Sequence, residues 1–229
     1  MDPEIDEKQE KIGSSLTAVG KSPYTLPQGY LSYSQVDLYQ KCGARYEMKY
    51  VQKRATRTSS SQARGKTVHS VLEQLHRLRK YGEVPSWNLT KGLIEDALKE
   101  NMREVEEWDD KVSSVEHARV GAEAALKIYV DTRLPIMDVR AIETKIEINI
   151  NERVPFLGYI DVIEDGGVDP GPGHLYGPAD SVRDVKTTTK EYGKGEIINS
   201  LQLSLYAGAT NVPSVAYDLL ITPPKGPAR

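Results

Sequence analysis

The hydrophobic spacing of this 229-residue chain predicts an α/β fold, with a helical N-terminal part followed by elements in the order β-β-β-α-β. Up to Pro135 apolar residues recur at helical intervals. From Ile142 the period drops to two, and that switch divides the chain. A further observation lies on the strand read over Ser181–Thr188. Asp184 and Lys186 stand two residues apart there and project from one face. A second acid, Asp161, sits on the preceding apolar strand.

Residues 1–28 combine a charged start with Gly, Ser and Pro, and read as a disordered or loosely attached arm. Residues 29–229 read as a single domain, with 29–136 the helical part that carries His69 and 137–229 the sheet core. A first helix is expected from Ser34, capped by that residue with Asp37 returning the bond, and followed by Val36, Tyr39, Cys42, Tyr46 and Tyr50. Thr56–Gln62 reads as a Ser/Thr-rich loop. Gly65 then opens an amphipathic run with Val68, Val71, Leu72, Leu75 and Leu78 inward, and His69 beside that stripe. A third helix uses Leu93, Ile94, Ala97, Leu98, Val105 and Trp108. A fourth uses Val115, Ala118, Ala122, Ala125, Leu126 and Tyr129, and Pro135 should end it.

Ile142, Ile146, Ile148 and Ile150 alternate with polar residues, as do Val154, Phe156, Ile160 and Val162, which predicts paired strands. The Gly- and Pro-rich segment Gly166–Asp180 reads as a long loop, either a lid or substrate guide or an inert insertion. Glu196–Ala209 reads as a helix carrying Gln202 and Tyr206 at i and i+4, and Ser214–Ile221 as a buried strand.

Composition narrows the class. Hydrophobic residues make up 38% and charged residues 28%, with no apolar run long enough for a bilayer, so a soluble globular protein with no membrane partner is expected. Met1–Glu10 lacks the basic flank and apolar stretch of a secretory signal, which makes a cytoplasmic location the default. The lone Cys42 excludes an intramolecular disulfide and any site built on several thiolates. Net charge is only −3, yet from Arg45 to Lys66 the basic residues Arg45, Lys49, Lys53, Arg54, Arg57, Arg64 and Lys66 accompany a single acid, Glu47. Such a stretch suits a phosphate backbone or a solvated surface. No phosphate loop or dinucleotide fingerprint is present, and Gly171-Pro-Gly173 reads as a turn.

Hydrolysing a phosphodiester needs an activated water, in-line approach and stabilisation of charge, all of which a divalent metal can supply. Asp161, Asp184 and the backbone carbonyl of Val185 form a suitable oxygen seat for Mg²⁺ or a similar hard ion. Lys186 would stand over the attacking water or the scissile phosphate. Each residue also has a plainer reading. Asp161 precedes the turn-like Glu164-Asp165-Gly166-Gly167, Asp184 and Lys186 suit an exposed charge pair, and Glu143 and Glu147 suit the wet side of a strand. His69, Glu73 and His76 share one side of a helix and raise a zinc site as a further alternative.

Taken together, Leu31-Ser-Tyr-Ser34, Cys42 with Tyr46 and Tyr50, Gly65-Lys-Thr-Val-His69, Gly158-Tyr-Ile-Asp161, Asp184-Val-Lys186 and Gln202-Leu-Ser-Leu-Tyr206 resemble the RecB-like branch of the PD-(D/E)XK nuclease superfamily. The resemblance spans about Leu31 to Ile221. It implies a restriction-endonuclease-like α-β-β-β-α-β core, a central mixed sheet flanked by helices, behind an N-terminal helical layer. It implies that His69, Asp161, Asp184 and the Val185 carbonyl bind Mg²⁺ or Mn²⁺, that Lys186 is the catalytic lysine, and that Gln202 and Tyr206 line the DNA side. Arg64 and Lys66 are candidate DNA contacts, and Glu143 falls near the place of an acid upstream of the Gly158–Asp161 motif. Many relatives hold an iron-sulfur cluster with four cysteines, which a single cysteine cannot supply, so no cluster is expected.

The expected activity is therefore a metal-dependent DNA nuclease acting on linear single- or double-stranded DNA. Exonuclease action in recombination, repair or phage DNA processing leads, with a protein partner or a second copy as possible company. The alternatives are a catalytically silent DNA-binding subunit and the zinc enzyme.

Overall fold

The computed structural model describes residues 25–165, 180–210, 212 and 214–222. The Gly171-Pro-Gly173 turn, and all of the proposed arm before residue 25, lie outside them. So does the Gly166–Asp180 loop except for Asp180 itself.

Helix α1 (Tyr33–Lys41) is capped by Ser32, whose hydroxyl accepts from the Gln35 N–H, and not by Ser34 as the sequence suggested. Asp37 instead pairs with Lys41 one turn on, at 2.7 Å. The run does not continue unbroken to Tyr50. Cys42 is extended, with φ −166° and ψ 105°, and separates α1 from the short α2 (Gly43–Tyr46) and a wide π turn over Glu47–Val51. Tyr50 is buried, Cys42 is only half-buried, and Tyr39 faces water while edging onto Tyr46.

A two-residue strand β1 (Thr58–Ser59) leads into α3 (Ser60–Lys80), so most of the expected loop over Thr56–Gln62 is strand and helix. The reason is a capping box. The Ser59 hydroxyl accepts from the Gln62 N–H, and the Gln62 side chain accepts from the Ser59 N–H, which starts the helix five residues before Gly65. Val68, Val71, Leu72 and Leu75 point into the core as their spacing predicts, while Leu78 is half-buried.

Helix α4 (Trp87–Asn101) stops well short of Trp108, because a 3₁₀ turn over Met102–Glu104 and the strand β2 (Val105–Glu107), which pairs parallel with β1, take over. Trp108 is 46% exposed. Helix α5 (Val115–Ile128) passes into a π turn over Tyr129–Arg133 and a 3₁₀ turn with Pro135 near its start, where the missing N–H costs little.

The main sheet follows as β3 (Val139–Ile150), β4 (Val154–Glu164), β5 (Ser181–Thr188) and, after α6 (Lys194–Ile198) and α7 (Leu201–Thr210), β6 (Ser214–Ile221). Its order is β3-β4-β5-β6, antiparallel across the first two pairings and parallel between β5 and β6. The single helix expected over Glu196–Ala209 is two helices. Asn199 ends the first, and the Ser200 hydroxyl accepts the Leu203 N–H to start the second.

Two hydrophobic clusters cover the sheet. One joins α3, α4 and α5 to Val139, Val162, Val185 and Leu220; the other joins Tyr206 of α7 to Ile146, Phe156, Ile160 and Val182. No helix among the described residues is long and apolar enough to cross a membrane.

Buried charges under the helical layer are paired acid with base. Arg133 and Arg183 meet Glu164, and the Arg183 guanidinium lies 2.8 Å from Asp218, giving two acids and two arginines in one buried network. His76, only 2% exposed, holds Nε2 2.8 Å from the Tyr129 hydroxyl, which in turn donates to the Met137 sulfur.

Burial, aided by the charges of Arg133 and His69, pushes the His76 imidazole down to about 4. The folded state therefore keeps His76 neutral where the unfolded chain, titrating near 6.5, takes up a proton. Its contribution is complete above about pH 6.5 and is lost as pH falls towards 4, by roughly 3 kcal/mol. Urea unfolding of the wild type and His76→Gln at pH 7.5 and pH 4.5 should show the wild-type advantage shrinking at the lower pH. The β3–β4 turn supplies a second expectation. Asn151 and Glu152 both adopt positive φ, 50° and 57°, and the Arg153 N–H donates to the Ile150 carbonyl, as in a type I′ turn that favours glycine at its second central place. Glu152→Gly should raise the unfolding free energy by about 0.5–1 kcal/mol in the same assay.

Candidate active site at the fork between two strands

β4 and β5 pair through only three positions, Val162 with Arg183, Ile163 with Val182 and Glu164 with Ser181. Beyond them the ladder opens, and Asp161 reaches across with its side chain. The Val185 N–H donates to Asp161 Oδ2 at 2.6 Å, so a carboxylate takes the place of a backbone carbonyl.

Further along the β4 edge the segment before α1 has docked. The Leu31 N–H donates to the Pro155 carbonyl and the Leu157 N–H to the Leu31 carbonyl, each at 2.8 Å. Between these two pairings the edge is approached by α7, whose Tyr206 hydroxyl donates to the Tyr159 carbonyl at 2.7 Å. Gly158 permits that approach: a Cβ there would stand 3.2 Å from the Tyr206 ring, from Ile146 and from Phe156.

Asp184 lies on β5 inside the fork and is 2% exposed. The Lys186 ammonium stands 2.6 Å from its Oδ2, and the Gln202 amide donates to its Oδ1 at 2.6 Å and to the Tyr206 hydroxyl at 3.0 Å. In the parallel register Tyr217 of β6 stands opposite Asp184, and its ring lies 5.8 Å from the Lys186 ammonium. Burial, reinforced by Asp161, lifts the Asp184 carboxyl to about 6 despite Lys186. Burial also raises Asp161, against the opposing pull of the Val185 N–H and of Lys186. Lys186 is disfavoured by burial, but Asp184 and Asp161 outweigh that and hold its pKa above the ordinary value. Two buried carboxylates thus share one ammonium.

His69 of α3 completes this group, with Nδ1 3.9 Å from Asp161 Oδ2. Burial and the charge of Lys186 lower its pKa, which leaves the imidazole neutral at pH 7 with a lone pair to offer. Glu143 occupies the rim. Its neighbours pair as Ile142 with Val162 and Thr144 with Ile160, which sets Glu143 across from Asp161. It adopts φ +44°, a left-handed conformation that strains a non-glycine residue inside a strand. Burial, then Asp161 and Glu73, push its carboxyl up to about 7. Glu147, by contrast, is an exposed acid paired with Lys145.

These residues suit a hard divalent cation. Asp184 Oδ2 is buried against the Lys186 ammonium at 2.6 Å, and with Asp161 beside it two carboxylates raised by burial share that one positive charge, which leaves room for a further cation. Among the described residues no three His, Cys, Asp or Glu side chains converge in a ready cage. Magnesium accepts such an open seat, because it binds one or two carboxylates and keeps several waters.

Other expected residues lie elsewhere. Arg64 is not a surface contact: it is 5% exposed, packed over Gly121, where a Cβ would stand 3.0 Å from its guanidinium. The α3–α5 packing draws it inward, and its Nε has no hydrogen-bond partner. Lys66 is exposed but pairs with Glu104 at 2.7 Å. The zinc alternative fails on geometry, since His76 is committed to Tyr129 in the core and Glu73 to Arg77. Tyr33, Tyr159 and Tyr217 belong to the site's surroundings and were missed. Only register could have exposed Tyr217, and only the docking of Leu31 on β4 places Tyr33.

Comparison with curated proteins finds no match. The family description of the PD-(D/E)XK nuclease superfamily does match, over residues 30–212, from the segment docked on β4 through α7. With most of its length covered, including both strands of the fork, the chain belongs to the PD-(D/E)XK nuclease superfamily.

Proposed function

We propose that this protein is a Mg²⁺- or Mn²⁺-dependent deoxyribonuclease of the RecB-like branch, acting as an exonuclease on linear DNA in recombination, repair or phage DNA processing. The observation that carries the reading is the Asp161 carboxylate held in the strand fork beside the Asp184–Lys186 pair. The order of motifs from Leu31 to Tyr206 supports the branch.

Asp161, Asp184, the Val185 carbonyl and neutral His69 would hold the cation, with Glu143 at the rim as a further acid. The bound ion would lower the pKa of a water and offset charge on the phosphate. Lys186 lies at the mouth of the same group, where its ammonium can orient the attacking water and stabilise the phosphoryl oxygens. Gln202, donating to both Asp184 and the Tyr206 hydroxyl, keeps the carboxylate turned into the fork. In the hydrolysis a bond forms from the water oxygen to phosphorus as the bond from phosphorus to the departing sugar oxygen breaks. The water gives up a proton, and the departing oxygen gains one.

Asp184→Asn and Lys186→Ala should each lower cleavage of linear DNA by at least about 10²–10³-fold, the scale expected when a group stabilising transition-state charge is lost. Asp184→Asn should leave the fold at least as stable at pH 7.5, because an amide avoids burying a charge. Chelation should silence the wild type. Gel analysis of end-labelled DNA with thermal unfolding in parallel checks all three, and undiminished cleavage by Asp184→Asn in a clean preparation would overturn the proposal.

A further inference from the structure

We propose that a tyrosine-lined cavity beside Asp184 receives one unstacked nucleobase of a DNA strand, so that the site engages unpaired strand ends. The proposal rests on the nuclease reading and narrows its substrate. The cavity is a half-open cleft of about 310 Å³, lined by Tyr30, Tyr33, Tyr159, Gly158 and Gln202, among others. That size is at the lower end of pockets that take small organic ligands, roughly 300–1,000 Å³. It lies where the β4 edge has no strand neighbour, between the Leu31 bridge and the Asp161 fork.

Its chemistry fits a base. The tyrosines offer ring faces, and stacking on such faces accepts any base because every base has a π face. Gln202 is a fixed polar part of the wall. It is 6% exposed, both of its amide hydrogen bonds are donated inward, and its Oε1 is a buried acceptor without a partner.

The cavity is also tied to the acids. Gln202 spans from the cavity wall to Asp184 Oδ1 at 2.6 Å, and Tyr33 is near enough to feel the charges of both Asp184 and Lys186. A nucleotide with its base in the cavity would therefore lie next to the phosphate presented to the fork. Bases within a duplex are stacked and paired, so only an unpaired or extruded nucleotide can enter. The first turn of α1 opens on the same cavity through Ser32, Tyr33 and Ser34, and its dipole favours a neighbouring phosphate.

The test is fluorescence anisotropy with labelled single-stranded DNA oligonucleotides carrying one abasic site at successive positions from the end. The buffer contains EDTA and about 0.15 M salt to screen unspecific attraction. One abasic position should weaken wild-type binding about tenfold. That penalty should vanish in Tyr159→Ala, whose parent side chain is half-exposed so that its loss should leave the fold intact, and should persist in Tyr159→Phe. Tyr33→Ala should behave like Tyr159→Ala, with circular dichroism as the folding control. The proposal is overturned if single strands do not bind, if no abasic position matters by more than twofold, or if the penalty survives in folded Tyr159→Ala and Tyr33→Ala. Because binding is read without metal, this outcome is separate from failure of the nuclease reading, which would appear as no Mg²⁺-dependent cleavage of any DNA by the wild type.

Discussion

The hydrogen bond from the Val185 N–H to the Asp161 carboxylate, 2.6 Å long, governs the architecture around the candidate site. A sheet that kept pairing past Val162 would satisfy this N–H with a backbone carbonyl and close the space between β4 and β5. With a side chain in that role, the strands can part while the buried N–H stays partnered. Parting the strands brings Asp184 and Lys186 to an opening, and frees the β4 edge for Leu31 on one side and Tyr206 on the other. The same bond immobilises Asp161, which leaves its carboxylate facing Asp184 and His69 instead of water.

Charge is distributed unequally across this sheet. Where the sheet meets the helical layer, Glu164 and Asp218 on the strands meet Arg183 and Arg133, acid for base, so the buried charges compensate one another. At the fork Asp161, Asp184 and Glu143 have Lys186 within the group and Arg77 only at the rim. A protein selected for stability alone would gain by replacing such acids. Strain points the same way, for Glu143 holds φ +44° in the middle of a strand beside the acids. Local rules broken together in one place, within a fold that otherwise respects them, mark where function has been given precedence.

Much of the fold was legible because burial leaves a period in the sequence. Val68, Val71, Leu72 and Leu75 announced the inner face of α3, the isoleucines of β3 announced its pairing with β4, and β6 begins and ends where its apolar run does. Element ends were read less well, since they depend on single side-chain bonds. Ser32 and Ser59 cap helices that were placed later, and Ser200 divides one that was read as continuous. In the site, spacing on β5 placed Asp184 and Lys186 together, and motif order added Asp161 and His69, which the fold does gather. Periodicity did not reveal that Arg64 turns inward onto Gly121 or that Tyr33 shares a cavity wall with Gln202. Both follow from contacts between segments far apart in the chain.

The most direct measurement is anomalous X-ray scattering from crystals soaked in Mn²⁺. The account predicts a manganese peak at the mouth of the fork, coordinated by Asp161 and Asp184 and lost in Asp184→Asn. A bound ion held elsewhere, or one at the fork that remains undiminished in Asp184→Asn, would contradict it.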